Sequence, residues 1–378
     1  MSATIVVLGA GLVGSAIARD LHTRYRVLAV DRDAARLVPL QEKGLATRRL
    51  DITRRGDLKS ALADADLVVG AVPGFLGYAT LRAVLELGKP IVDISFFPED
   101  PFTLDAVARS QGVAAVVDCG LAPGMGNLIL GYESGRMEVD SYTCYVGGLP
   151  VKRDWPWEYK AVFSPGDVIE EYTRPARFIQ GGRIVTRPAL SDPEIIRFSG
   201  VGSLEAWNSD GLRTLLHTME VPDMVEKTLR YPGTIEYVRV LRESGFFSRE
   251  PLRLGETEVR PLDVTAALLR DQWKLQPGEE DLTVMRIEIR GKKAGQDVRV
   301  LYELEDHFDR EQGITSMART TGYTCAAVAN LYLEGALSET GILPPERIGA
   351  SVDRFQAIID YLEERNVRYR VTEGPLPV

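Results

Sequence analysis

Three glycines and one acid near the start of this chain carry its most explicit chemistry. Gly9, Gly11 and Gly14 stand in a Gly-x-Gly-x-x-Gly spacing, and Asp31 follows Gly11 by twenty residues. Glycines so placed let the backbone turn sharply, approach a pyrophosphate with no Cβ in the way, and pack a helix closely on a sheet. A helix starting there offers unpaired N–H groups and a positive dipole end to phosphate. An acid at this distance accepts hydrogen bonds from a ribose diol. The spacing gains its meaning from its setting. Thr4–Leu8 reads as a β-branched strand, residues 12 to about 22 as an amphipathic helix, and 26–30 as a second strand that ends on Asp31. The whole predicts a bound dinucleotide. A carboxylate at 31 repels a 2′-phosphate, and Asp33 adds negative charge, so the prediction is NAD; Arg32 is the residue that would hold such a phosphate instead. The predicted cofactor contacts are Gly9, Gly11, Leu12, Val13, Gly14, Asp31, Arg32, Asp51, Ala71, Val72, Pro73, Phe75 and Leu76.

The elements that must position these residues continue to about residue 119. Short apolar strands at 46–50, 67–70, 90–94 and 114–118 alternate with helical stretches at 58–65, 78–87 and 104–111. That alternation predicts an α/β fold with a doubly wound parallel sheet of the Rossmann type. Its ligands bind beyond the carboxyl ends of the strands, so the chemistry is expected after them, at Asp51, 71–78, 93–98 and 118–127. Asp93 and Asp118 are the carboxylates best placed there, although Asp also caps turns and helices readily.

From Cys119 the texture changes. Residues 141–146, 284–289 and 298–304 alternate apolar and polar side chains, and the last two, joined by 290–296 with two Gly and two Lys, predict an antiparallel hairpin. A second, inserted α+β domain is expected over 120–319. The Rossmann domain of 1–119 is then completed by 320–350, including an apolar helix over 320–337 that packs on it. Residues 351–378 form a C-terminal helix and tail, the helix packing on its own domain or serving as a dimer contact.

Composition excludes several classes. A net charge of −9 argues against nucleic acid and anionic membrane surfaces as partners. No apolar run reaches the roughly 20 residues of a membrane span, and the chain enters its first strand too soon for a signal peptide. The three cysteines, Cys119, Cys144 and Cys325, are odd in number and far apart, which predicts reduced thiols in a cytoplasmic protein. With only His22, His217 and His307, and no pair at ligand spacing, no metal site is predicted.

Several blocks in one order carry a resemblance. Ala-Val-Pro-Gly-Phe-Leu-Gly (71–77), Val-Asp-Ile-Ser-Phe (92–96) and Asp-Cys-Gly-Leu-Ala-Pro-Gly-Met-Gly-Asn (118–127) are followed by Tyr-Val-Gly-Gly-Leu-Pro (145–150) and Thr-Leu-Arg-Tyr-Pro-Gly (228–233). Over essentially its whole length the chain resembles the saccharopine dehydrogenase-like family. Within it, the blocks at 159–176 and 317–324 look most like the L-lysine 6-dehydrogenases. Saccharopine reductases favour an acid where this chain has Ala122, a Tyr near Phe96 and a Cys near Val146, and these departures argue against saccharopine as substrate. The resemblance implies NAD-dependent oxidation of the ε-amine of L-lysine to 2-aminoadipate 6-semialdehyde, which cyclises, with release of ammonia and NADH. It also implies a homo-oligomer. The alternatives are a saccharopine- or carboxynorspermidine-type reductase acting on a secondary amine, and a dinucleotide-binding protein without catalysis.

Amine oxidation by hydride transfer needs a neutral nitrogen, whose lone pair drives hydride off carbon. With an amine pKa of about 10.4, this predicts an alkaline optimum. A carboxylate near the cationic amine serves both proton removal and the later attack of water, which returns attention to Asp93 and Asp118. Tyr159 and Lys160 are alternatives from the second domain. His217, on an apolar helix over 212–219, is expected to be buried or half-buried. A bidentate arginine suits an α-carboxylate, and the candidates in order are Arg230, Arg174 and Arg213. Glu170, Glu171 and Asp210 would meet an α-ammonium.

Overall fold

The computed structural model describes residues 3–160 and 165–376. They divide into two compact units, one of Met1–Arg136 with Ala318–Arg368, the other of Met137–Met317 with Tyr369–Val378.

Unit 1 is built on β1 (Thr4–Leu8), β2 (Arg26–Asp31), β3 (Ala46–Arg49), β4 (Leu67–Gly70), β5 (Ile91–Asp93) and β6 (Ala114–Val116). A seventh strand, Gly341–Leu343, joins the far edge beside β6, and the order across the sheet is Gly341–Leu343, β6, β5, β4, β1, β2, β3, every pair parallel. Ile5, Val6, Val7 and Leu8 are all buried, as expected of a strand covered on both faces. The connecting helices are α1 (Leu12–Leu21), α2 (Ala34–Glu42), α3 (Arg55–Ala61), α4 (Gly74–Glu86) and α5 (Asp105–Ser110), followed after β6 by α6 (Met125–Ser134). The chain winds outward from β1 in both directions. The order therefore reverses between β1 and β4, and their carboxyl ends bound the crevice where ligands bind in such sheets.

The first segment of unit 1 runs on to Arg136, past the expected boundary at 119/120. Glycines explain why α6 belongs to unit 1: a Cβ on Gly131 would lie 2.0 Å from the carbonyl oxygen of Glu346, and one on Gly349 2.0 Å from that of Leu128. Helix α6 thus crosses the short helix Pro345–Gly349 backbone to backbone. The helix Val352–Glu363 also joins unit 1, burying Phe355, Ile358 and Leu362, with Phe355 stacked on Tyr132 at a centroid distance of 4.1 Å. Of the expected separate tail only the strand Tyr369–Pro375 leaves for unit 2.

Unit 2 holds a nine-stranded sheet whose main path runs Glu194–Phe198, Gly202–Ser209, Asp223–Arg230, Glu138–Pro150, Asp281–Lys293, Gln296–His307, Tyr369–Pro375. Only Asp223–Arg230 and Glu138–Pro150 lie parallel. The predicted hairpin spans Asp281–Lys293 and Gln296–His307, and its turn is tighter than expected: Ala294 and Gly295 alone, at φ 50° and 79°. Two positive φ values in succession give the turn whose twist matches the strands. Helices Pro165–Thr173, Thr234–Glu243 and Pro261–Trp273 contribute to an apolar cluster with Trp207 and Trp273 fully buried in it. Among the described residues, no helix is long and apolar enough to cross a membrane, and no group of His, Cys, Asp or Glu is arranged to hold a metal ion.

Candidate active site

In unit 1 the three glycines do different work. Gly9 has φ 105°, and a Cβ on it would lie 2.3 Å from the carbonyl oxygen of Ala71; one on Gly14 would lie 2.1 Å from the carbonyl oxygen of Gly9. Both are required by the packing of β1, α1 and the chain after β4. Gly11 is different, because the nearest atom to its Cβ would be Arg36 Nη1 at 3.9 Å. The protein itself leaves room for a side chain there. Gly11 is also the N-cap residue of α1 and has no side chain to cap the first amides of that helix. These features fit a pyrophosphate.

Asp31 ends β2 almost fully buried. Its Oδ2 accepts from the backbone N–H of Ala10 at 2.8 Å and its Oδ1 from that of Asp33 at 2.8 Å. Both bonds fix the carboxylate beside the glycine turn, and each oxygen keeps a lone pair for a ribose hydroxyl. Arg36 Nη1 stands 4.0 Å from Oδ2, and Arg36 also faces Asp33 at 3.7 Å. Arg32 is exposed, and its carbonyl accepts from Arg49 Nε at 3.1 Å. Asp51 is committed to its own turn. Its Oδ1 accepts from the Thr53 hydroxyl at 2.7 Å and the Thr53 N–H at 3.1 Å, and the hydroxyl bond leads in holding its pKa below the ordinary value. Leu12 in α1 is 51% exposed and Phe75 in α4 75%. These apolar side chains lie in the first turns of the two helices that follow the adjacent strands β1 and β4. Val13 shares that first turn of α1, and Ala71, Val72 and Pro73 link β4 to α4, with Pro73 the N-cap and Leu76 half-buried.

The two predicted carboxylates are both inside the protein. Asp93 is wholly buried, its Oδ1 accepts from the Ser95 N–H at 2.5 Å, and its Oδ2 would lie 2.5 Å from a Cβ on Gly70. The geometry gives it the turn after β5. Asp118 is 1% exposed with φ 52°, a left-handed conformation that Asp tolerates better than most residues. It opens a loop closed by Gly124, whose N–H donates to Asn127 Oδ1 at 3.2 Å, while Asn127 Nδ2 donates to Glu346 Oε2 at 3.1 Å. Glu346 was not expected here. Its separation of 219 residues from Asn127 leaves no local trace in the sequence.

In unit 2 the structure brings Tyr159 and Arg230 together and adds partners that spacing alone does not suggest. Arg230 is 2% exposed at the end of its strand. Its Nη2 donates to Glu171 Oε2 at 2.6 Å and to the Tyr159 hydroxyl at 3.4 Å, its Nε to the Tyr172 hydroxyl at 3.3 Å, and its Nη1 to the Leu229 carbonyl at 2.9 Å. The guanidinium carbon lies 4.4 Å from the Tyr159 ring centroid and 5.9 Å from that of Trp207. Burial opposes the charge, yet Tyr159, Tyr172 and Glu171 outweigh it and raise the pKa of Arg230 above its ordinary value. Burial likewise pushes the Tyr159 and Tyr172 phenols above theirs.

The other predicted residues are placed as follows. Arg174 faces Glu170, one helical turn away, at 3.6 Å, and Glu170 also pairs with Arg249. Arg213 is buried at φ 52° just before the helix Leu215–Thr218. Asp210 is bound by Arg177 through two bonds of 2.8 and 2.9 Å, so it is engaged within the fold. Lys160 pairs with Glu279 at 3.5 Å. His217 is exposed, contrary to expectation, because the helix that carries it is only four residues long and ends before its apolar face can enclose the ring.

Comparison with known proteins agrees with this architecture along the chain. Residues 5–116 match the model of the saccharopine dehydrogenase NADP binding domain, and residues 120–367 that of the saccharopine dehydrogenase C-terminal domain. The chain is similar to the saccharopine dehydrogenase [NADP(+), L-glutamate-forming] of Pyricularia oryzae, at 21% identity over 90% of this chain and 93% of that one. It is similar to the carboxynorspermidine synthase of Vibrio cholerae, at 23% identity over 91% and 92%. The solved apo saccharopine dehydrogenase (L-Glu forming) of Saccharomyces cerevisiae has the same fold, with a TM-score of 0.80 at 19% identity over 98% of this chain and all of that one. The chain belongs to the saccharopine dehydrogenase family and is an NAD(P)-dependent oxidoreductase.

Proposed function

We propose that this protein oxidises a carbon–nitrogen bond of an amino-acid-derived amine, with NAD as the hydride acceptor. The observation that carries the reading is the family match across both halves of the chain, together with full-length relatives named for saccharopine and carboxynorspermidine. NAD, when bound, supplies the acceptor for hydride. Gly11 and the start of α1 hold its pyrophosphate, and Asp31 holds the adenosine ribose diol. Because the Asp31 carboxylate is fixed from both sides by N–H bonds, it cannot swing away from a 2′-phosphate. The preference for NAD rests on that geometry.

A secondary amine of the saccharopine or carboxynorspermidine kind is the substrate class the named relatives support. Oxidative deamination of the ε-amine of L-lysine is the second reading. Ala122 and Val146 favour it, as departures from the pattern of the saccharopine reductases at these two positions. In both cases the carbon beside nitrogen loses hydride, nitrogen loses a proton, and water then replaces nitrogen on that carbon. Asp93, which ends β5, and Asp118, which follows β6, are the carboxylates we assign to the proton and the water. In unit 2, Arg174, which also faces Glu170 at 3.6 Å, is our candidate for the substrate carboxylate.

A panel of L-lysine, saccharopine and carboxynorspermidine, tested with NAD and with NADP between pH 8 and 10, decides the matter. Ammonia release from lysine supports deamination. Turnover of saccharopine with release of glutamate makes the secondary amine the substrate. Absence of reduced cofactor with every amine overturns the proposal.

A further inference from the structure

Three neighbouring strands of unit 1 each lead to a buried acid. The order across that edge of the sheet is β5, β6 and Gly341–Leu343. Asp93 ends β5, Asp118 lies two residues past β6, and Glu346 lies three residues past Gly341–Leu343. All three are buried. Because the strands are parallel, the three acids stand at one edge, the carboxyl edge where such sheets bind ligands. The proposed reaction gives a role to the first two and none to the third.

The segment that delivers Glu346 is held firmly. The Gly341 N–H donates to the Val113 carbonyl at 2.9 Å and the Ile342 N–H to Asp105 Oδ1 at 2.8 Å, which sets the strand beside β6. Past the strand, the Glu346 backbone lies against Gly131 too closely for a Cβ there. Its side chain reaches Asn127, one turn earlier on α6. Asn127 can face its two neighbours in only one way. The Gly124 N–H is a donor and takes Oδ1 at 3.2 Å, while the Glu346 carboxylate is an acceptor and takes Nδ2 at 3.1 Å. Glu346 therefore helps to orient the amide that holds Gly124.

Gly124 closes a turn with little freedom of its own. The Gly120 N–H donates to the Pro123 carbonyl at 3.1 Å and the Met125 N–H to the Gly120 carbonyl at 3.0 Å. A Cβ on Gly124 would lie 1.9 Å from that same Gly120 oxygen. At the near end of the turn the Cys119 N–H donates to the Asp93 carbonyl at 2.9 Å. Asp118 precedes that bond at φ 52°, a conformation that persists only where the surroundings impose it. Asp93 anchors it on one side; Asn127 and Glu346, through the turn, anchor it on the other. We infer that Glu346 is a positioning residue for the reaction: through Asn127 it holds the turn from Asp118 to Gly124, and so aims the Asp118 carboxylate at the reacting carbon and nitrogen. This role rests on the proposed assignment of Asp118 and is the same for either amine.

Steady-state kinetics of Glu346→Ala, Asp118→Asn and the double variant test it, on whichever amine of the panel the wild-type chain oxidises. Glu346→Ala lowers kcat about 10- to 100-fold, the cost of a small misplacement of a reacting group. KM for the amine and the affinity for NADH stay close to those of the wild type. Glu346→Gln, which keeps an oxygen for Asn127 Nδ2, loses less. Asp118→Asn removes the carboxylate, so adding Glu346→Ala to it costs nothing further, because two residues that act through one group are not additive. A residue that only supports the fold would show its full loss in both backgrounds. Circular dichroism checks that each variant is folded at an assay temperature well below Tm; if the alanine variant is not, Glu346→Gln in the two backgrounds gives the same comparison. An unchanged kcat, or a loss as large in the Asp118→Asn background as in the wild type, overturns the role of Glu346 while the reaction stands. A wild-type chain that oxidises none of the amines overturns the reaction itself, and this role with it.

Discussion

Replacing Asp31 tests the cofactor assignment at its most specific point. Two variants separate its roles. Asp31→Asn keeps an acceptor but removes the charge; Asp31→Ala removes both. A hydrogen bond to a charged group contributes about 1.5–3 kcal/mol. Asp31→Asn therefore weakens NADH about 10-fold, and Asp31→Ala about 10- to 150-fold. The same substitutions relieve repulsion of a 2′-phosphate, so NADPH affinity holds or improves, and the preference between the cofactors collapses or reverses. Structure sets a second cost. The carboxylate also accepts the Ala10 and Asp33 N–H groups at 2.8 Å. In the alanine variant the buried Ala10 N–H is left without its acceptor, at about 1–3 kcal/mol, and Tm falls by several degrees. Titration of cofactor fluorescence on each variant at one temperature well below Tm reads affinity apart from stability. Equal losses for NADH and NADPH, with Tm unchanged, would refute the ribose role and the geometric reasoning behind it.

Other substitutions separate cofactor binding from folding. Gly11→Ala, with nothing nearer than 3.9 Å to its new methyl, leaves Tm in place and weakens cofactor by 10-fold or more, about 1.4 kcal/mol; Gly14→Ala, driven against a carbonyl oxygen at 2.1 Å, lowers Tm as well. Thermal denaturation and cofactor titration on the pair would expose an error if both behaved alike. Arg230→Ala breaks a buried ion pair and empties an aromatic box, so it lowers stability by about 3–5 kcal/mol; a variant of native Tm whose only defect is a raised KM for substrate would instead make Arg230 a substrate ligand. The pH profile has two opposed limbs. Amine substrate becomes reactive as pH approaches about 10. Tyr159 and Tyr172 have folded-state pKa values raised above the ordinary 10.0, chiefly by burial. Their contribution to stability is complete below pH 10 and is lost above it, as the unfolded phenols ionise and the folded ones do not. Activity thus climbs towards pH 10 and Tm falls beyond it; a Tm that is flat from pH 9 to 11 contradicts the second limb.

The sequence displays the cofactor half well because that half is local. Gly9, Gly11, Gly14 and Asp31 act within one strand–helix–strand unit, and the strand order follows from alternation and right-handed crossovers. What it hides is long-range. The membership of α6 in unit 1 depends on Gly131 meeting residues beyond 345. The environment of Arg230 depends on Glu171, 59 residues earlier, and on Tyr172, 58 earlier. An arginine in a strand reads equally as a ligand-binding group or as a buried ion pair until its partner is known. His217 is exposed for a related reason: its apolar neighbours predict a helix of eight residues, and the chain forms one of only four.

The chain passes between its units at 136/137, 317/318 and 368/369. During synthesis, neither unit closes early. The sheet of unit 1 waits for Gly341–Leu343, and the sheet of unit 2 waits for Tyr369–Pro375, which covers the edge strand Gln296–His307 through seven paired residues. Until then the partly buried and buried Val298, Val300, Tyr302 and Leu304 stand on an open strand edge, the kind that pairs with other chains. A continuous fragment of 137–317 would keep that edge permanently open and tend to aggregate. Expression of this protein accordingly depends on its last tenth in a way that no inventory of catalytic residues reveals.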